Sequence, residues 1–147
     1  MRFPTKEGII NLNRRHIFSS GGKWYEPDNV LNHGSLEWVL DAIRYPLFDT
    51  DFYPTLGDKG AILAWTIIDG HVFWDGCKRT AMSSMEIFII VNGNRLNAFG
   101  EEIKDIALKV SKRVEEPYSF EEFREWVKSR TISDVFLAYP PGGSRVD

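Results

Sequence analysis

The stretch His71-Val72-Phe73-Trp74-Asp75-Gly76-Cys77-Lys78-Arg79-Thr80-Ala81 stands between two strongly apolar segments, Ala61 to Ile68 and Ala81 to Val91. The first segment is apolar on nearly every face and predicts a helix at the centre of the domain, running from Lys59 to about Asp69 with Asp58 as its N-cap and Gly70 as its stop. The second predicts another buried helix, from near Lys78 to Asn92-Gly93. Its β-branched run Ile89 to Val91 suits a strand, but its length and the small residues Ala81, Ser83 and Ser84 favour a packed helix. His71 to Cys77 is then a loop, and Lys78 and Arg79 fall in the first turn of the helix that follows. A helix N-terminus carries partial positive charge and unpaired N–H groups, so cations are unfavourable there unless an anion joins them. A bound phosphate reverses the sign of that cost.

Outward from this pair, the chain reads as a succession of helices. A first helix is predicted over Lys6 to Phe18, ended by Ser19-Ser20-Gly21-Gly22, and a second over Leu36 to Arg44, opened by Asn32-His33-Gly34-Ser35 and stopped by Pro46. Tyr45 to Leu56 holds two prolines and several aromatics without a period, which predicts an ordered loop placed as a flap beside a site. Glu101 to Arg113 is amphipathic through Ile103, Ile106, Ala107 and Val110. Ser119 to Glu122 is a capping box that opens a helix over Phe120 to Ser129. A short turn over Ser133 to Leu137 ends the pattern. The fold class predicted is all-α: one domain over residues 1–138, a compact helical bundle with the polar loop between two central helices, followed by a flexible tail over 139–147.

Composition narrows the function classes. The chain has 147 residues, enough to bury a single core without a partner. Its net charge of -3 and scattered cations argue against a nucleic-acid binder. The longest apolar run is far short of the ~20 residues a membrane helix needs. One cysteine, Cys77, leaves no internal disulfide, and the N-terminal residues lack the apolar core of a signal peptide, so the cytoplasm is the expected compartment.

Within the loop each residue carries both a structural and a chemical reading. His71 either caps a helix end or acts as a general base on a hydroxyl that attacks phosphorus. Phe73 is expected in the core, pinning the loop, and Trp74 is open to either placement. Asp75 makes an Asx-turn or holds Mg²⁺ on a nucleotide, since one carboxylate plus substrate phosphates is a usual Mg²⁺ arrangement. Gly76, Cys77 and Lys78 would present consecutive backbone N–H groups to an anion. Arg79 forks onto phosphate oxygens, while Lys78 serves as a mobile point charge. A Cys77–His71 nucleophile pair is the competing chemistry, but it gives Lys78 and Arg79 no role. His16 and His33 have no metal-ligand spacing to each other or to Cys77.

The pattern His71, Phe73, Asp75, Gly76, Lys78, Arg79, Thr80, Ala81 resembles the motif of the Fic/Doc family, in its death-on-curing (Doc) branch. Tyr53-Pro-Thr-Leu, Asn92-Gly93 and Leu96-Asn97-Ala98 extend the likeness over about Ile9 to Arg130. The resemblance implies a helical bundle that transfers part of a nucleoside triphosphate, ATP with Mg²⁺, to a protein hydroxyl. It makes His71 the general base, Asp75 the Mg²⁺ and loop-orienting acid, and Gly76, Cys77, Lys78, Arg79 and Thr80 the nucleotide cradle. Lys78 and Met82 stand where AMP-transferring Fic proteins carry Gly and a second Arg. Both differences are those of the Doc branch, which implies a kinase of elongation factor Tu restrained by a partner antitoxin. AMP transfer is the alternative. Cys77 departs from the family's Asn, and a catalytically impaired nucleotide- or partner-binding module is the third reading.

Overall fold

The computed structural model describes residues 1–134, and among these six helices run in chain order: α1 (Lys6–Ser20), α2 (His33–Arg44), α3 (Leu56–Asp69), α4 (Cys77–Val91), α5 (Gly100–Ser111) and α6 (Phe120–Arg130). The fold is mostly helical, as the periodicity predicts. Its centre is α3, whose Gly57 to Ala64 and Thr66 to Ile68 are all buried. A helix without a solvent face must be covered on all sides, and α2, α4, α5 and α6 all pack against it. Leu63, Ala64 and Ile67 are fully buried there, each large aliphatic side chain contributing roughly 1.5–3 kcal/mol. Gly60 lets α4 come close, since a Cβ would lie 3.3 Å from the Met85 side chain and 3.5 Å from that of Ile89. Gly60 is near the start of α3, while Met85 is just past the middle of α4 and Ile89 near its end. The two central helices are therefore antiparallel, and their connecting loop closes one end of the pair.

Local chemistry shifts three details of the sequence reading. The helix α3 starts at Leu56 because Thr55, and not Asp58, is its N-cap: Thr55 Oγ1 accepts from the Asp58 N–H at 3.1 Å and Asp58 Oδ2 accepts from the Thr55 N–H at 3.0 Å. This reciprocal box satisfies two donors where a single cap satisfies one. At the other end Gly70 stops the helix with a right-handed backbone, φ -79, and the left-handed turn falls on His71 instead. Gly70 is required for space, as a Cβ would lie 2.7 Å from the Thr66 carbonyl oxygen and 2.8 Å from Ser35 Cβ.

The loop between α2 and α3 is ordered but is not a flap over the 71–81 segment. Its contacts run to α6 and to the first turn of α3: Arg124 Nη2 donates to the Phe52 carbonyl at 2.7 Å, Lys59 Nζ to the Tyr53 carbonyl at 2.6 Å, and Tyr53 meets Phe120 edge to face. These anchors lie at the N-terminal end of α3, a helix length of about 20 Å from its C-terminus.

The all-α expectation also misses a small antiparallel ribbon, β1 (Asn94–Leu96) with β2 (Thr131–Ser133), in the register Asn94 to Ser133, Arg95 to Ile132 and Leu96 to Thr131. Three residues are too few to show a period of two, and the partners are distant in sequence. The turn predicted from Ser133 therefore begins in a strand. Its continuation to Leu137, the domain boundary at 138 and the tail over 139–147 lie outside the described residues. Among the described residues, no helix is long and apolar enough to cross a membrane.

Candidate active site

The loop between α3 and α4 is fastened along its length. The Leu31 and Asn32 N–H groups both donate to the Val72 carbonyl, at 2.8 and 3.1 Å, and the Trp74 N–H donates to the Asn29 carbonyl at 3.0 Å. Of the segment 32–35 expected to offer the cap of α2, Asn32 takes the N-cap position, but its side-chain amide donates to the Gly70 carbonyl at 2.9 Å and caps no helix N–H. Phe73 is buried as expected, and Trp74 is exposed with its ring 5.4 Å from that of Tyr25. His71 holds φ 46, a left-handed conformation that costs a non-glycine residue roughly 1–3 kcal/mol. Neighbouring bonds hold it there: its N–H reaches the Ile68 carbonyl and the Val72 N–H reaches the Ile67 carbonyl, each at 3.2 Å. The imidazole Nδ1 lies 3.4 Å from the same Ile68 oxygen. Donation from Nδ1 leaves Nε2 with a free lone pair, the arrangement a general base requires.

Beneath the loop lies a buried asparagine pair that the motif does not announce. Asn13 Nδ2, from α1, donates to the Asp75 carbonyl at 2.9 Å and to Thr80 Oγ1 at 3.1 Å. Asn29 Nδ2 donates to Asn13 Oδ1 at 2.8 Å, and Asn29 Oδ1 accepts from the Tyr25 N–H at 3.0 Å. Both asparagines are fully buried. A sequence signal for Asn13 exists: it lies four residues from both Ile9 and Ile17, on the face of α1 that faces the core. Asn29 has no such signal.

Asp75 is bound at both carboxylate oxygens, Oδ1 by the Gly76 N–H and Oδ2 by the Lys23 N–H, each at 2.8 Å. Gly76 is the N-cap of α4 with φ 81, and a Cβ there would fall 2.8 Å from Asn13 Nδ2. Because the Gly76 N–H is spent on Asp75, the open anion donors shift by one residue from the expected set. They are the N–H groups of Cys77, Lys78 and Arg79, which have no carbonyl a turn earlier in the helix to bond. Lys78 and Arg79 are exposed above them, and Arg79 Nη2 rests on the Gly21 carbonyl at 3.0 Å. Thr80, expected in the cradle, is fully buried with its hydroxyl on Asn13. Cys77 Sγ donates to the Phe73 carbonyl at 3.2 Å, and burial pushes its thiol up from the ordinary range. A raised thiol is the wrong state for a nucleophile, which removes the support for a Cys–His pair.

His71, Asp75, Gly76, Cys77, Lys78 and Arg79 thus line one cleft of about 570 Å³. Lys78 and Arg79 also line a second cleft of about 480 Å³ between α1, α4 and α5, with His16, Met82, Ser83 and Glu86. His16 Nε2 lies 2.7 Å from Ser83 Oγ, and burial followed by the nearby Arg79 charge lowers the pKa of this imidazole. Burial pushes the Glu86 carboxyl up. Among the described residues no group of three or more His, Cys, Asp and Glu side chains could hold a metal ion. Asp75 therefore offers one carboxylate, the number suited to a cation that shares its coordination with phosphates.

No protein-family model matches the chain. Over 88 residues, 59% of this chain and 68% of the relative, it is 30% identical to Toxin Doc of Mycolicibacterium smegmatis. The chain belongs to the Doc toxin family. In this Doc-family chain, the His71, Asp75, Lys78 and Arg79 side chains of the first cleft all come from the loop between α3 and α4 and the first turn of α4. The groups that fix them in place come from α1 and the segment that follows it.

Proposed function

We propose that this chain is the toxin of a toxin–antitoxin pair and acts as a kinase, moving the γ-phosphoryl group of ATP to a hydroxyl of a translation protein. Elongation factor Tu is the target that the family resemblance implies. The observation that carries the reading is the convergence, in one cleft, of a histidine with an available Nε2, one carboxylate, two exposed cations and the open N–H groups of a helix start. The acceptor hydroxyl gives its proton to His71 Nε2 as its oxygen bonds to the γ-phosphorus. The bond from that phosphorus to the bridging oxygen breaks, and ADP leaves. The N–H groups of residues 77–79 with Arg79 and Lys78 bind the phosphate oxygens and stabilise the charge that accumulates on them. Asp75 would hold Mg²⁺ against those oxygens; the ion neutralises phosphate charge when bound.

Lys78 favours phosphoryl transfer over AMP transfer, by the family difference noted above. ATP labelled at the α- or the γ-phosphate separates the two: incubation with elongation factor Tu should label the factor from γ-labelled ATP only. Label from the α-position would assign AMP transfer instead. A cognate antitoxin encoded beside this chain is part of the same proposal, and its co-expression should relieve growth arrest caused by the toxin.

A further inference from the structure

We infer that the segment Gly21-Gly22-Lys23, where the chain leaves α1, is a positioning strap that sets the Asp75 carboxylate and the Arg79 guanidinium relative to each other. The inference rests on the reading of the cleft as a nucleotide site. Asp75 lies before α4 and Arg79 in its first turn, and the strap bonds both: the Lys23 N–H donates to Asp75 Oδ2 at 2.8 Å, and the Gly21 carbonyl accepts from Arg79 Nη2 at 3.0 Å. The strap is itself anchored. The Gly21 N–H donates to the Ile17 carbonyl at 3.0 Å, and the Trp24 ring lies 6.0 Å from Phe18 and 4.8 Å beneath the Arg14 guanidinium.

Both glycines are needed for this geometry and not only to end a helix. Gly21 has φ 89 and Gly22 φ 132, in the region that disfavours L side chains, and a Cβ on Gly22 would fall 2.8 Å from Asp75 Oδ2. The strap orients the charged groups without exhausting them. A guanidinium has five N–H donors, of which the strap takes one. A carboxylate has about four acceptor sites, of which the strap and Gly76 take two. Capacity remains on both groups for a metal-bound polyphosphate.

Calorimetric titration of the full chain with ATP, in the presence and absence of Mg²⁺, tests the strap. Gly22→Ala places its Cβ against Asp75 Oδ2 and so displaces the Asp75 arm of the strap. It should weaken Mg-ATP binding by about tenfold, the loss expected when one charge-assisted contact is misplaced, while metal-free ATP, which has no ion for Asp75 to hold, should change by less than about twofold. Ser20→Ala, just outside the strap, should bind as the unaltered chain does. Should Gly22→Ala fail to fold, Gly21→Ala replaces it. A Cβ at Gly21 meets nothing within 4 Å, but φ 89 with ψ 161 is a conformation essentially confined to glycine, so this variant moves the strap through its backbone alone and should also lose Mg-ATP affinity. Equal Mg-ATP binding by Gly22→Ala, or equal loss of both nucleotide forms, would overturn the inference. If the unaltered chain binds neither form, the nucleotide reading fails. The strap is then decided by the amide resonances of Lys23 and Gly76, which must move together in the glycine variant that folds; unmoved resonances overturn it.

Discussion

Cys77 is where this chain departs from its family motif, and its contacts show what the departure changes. The thiol is turned onto the Phe73 carbonyl, while the backbone N–H of the same residue stays at the open start of α4. In the proposed cradle, anion binding at this position would rest on that N–H, while the side chain bonds the loop. Cys77→Asn replaces one weak hydrogen bond to Phe73 with an amide bond worth about 1 kcal/mol. The transfer rate should therefore change by less than about tenfold, measured as initial velocity on the protein substrate. An inactive native chain whose transfer is restored in Cys77→Asn would instead support the impaired binding module.

At the scale of elements, α3 and α6 are held together by a buried carboxylate. Asp58 is fully buried, with Arg124 Nε on Oδ1 at 2.7 Å and Lys128 Nζ at 3.7 Å. Burial alone would raise its pKa, but hydrogen bonds from Arg124 and Thr55 outweigh burial and hold it below the ordinary 3.8. A carboxylate depressed in the folded state adds stability that is fully present above its unfolded pKa and is lost as pH falls through the lower folded value. Asp58→Ala leaves Arg124 facing an unfilled, half-buried site. It should cost about 3–5 kcal/mol by thermal or urea unfolding at neutral pH, with the deficit shrinking below about pH 4. A loss under about 1 kcal/mol would mean that the pair contributes no more than a surface salt bridge.

The same element scale shows why some features were readable. The helices α3 and α4 and the capping box at Ser119 rest on local periodicity and spacing, and they stand where the sequence predicts them apart from the first three residues of α3. In the sequence Asp58 alone looks like a cap, and only the reciprocal pair of bonds marks Thr55 as the N-cap and Asp58 as the third helical residue. The β1–β2 ribbon and the contacts of Asn29 depend on partners far away in sequence, so no local pattern carries them. Gly21-Gly22 was legible as a helix stop, but its approach to Asp75 exists only once α1 lies beside α4.

For the molecule as a whole, the antiparallel α3–α4 pair buries the centre and leaves its connecting loop at one end. There α1 and the residues up to Asn32 clamp the loop from outside. The motif supplies the charges, and the rest of the fold fixes their spacing through Asn13, Asn29 and the Gly21–Lys23 segment. At this end of the pair stands His71, strained in backbone and held with one imidazole nitrogen near the Ile68 carbonyl. The decisive measurement is transfer of γ-label from ATP to elongation factor Tu by the unaltered chain and by His71→Ala, side by side, with thermal unfolding confirming that both are folded. Labelling is expected from the first, with a loss of at least about a hundredfold in the second, the lower end of what a general base contributes. Undiminished labelling by folded His71→Ala would contradict it.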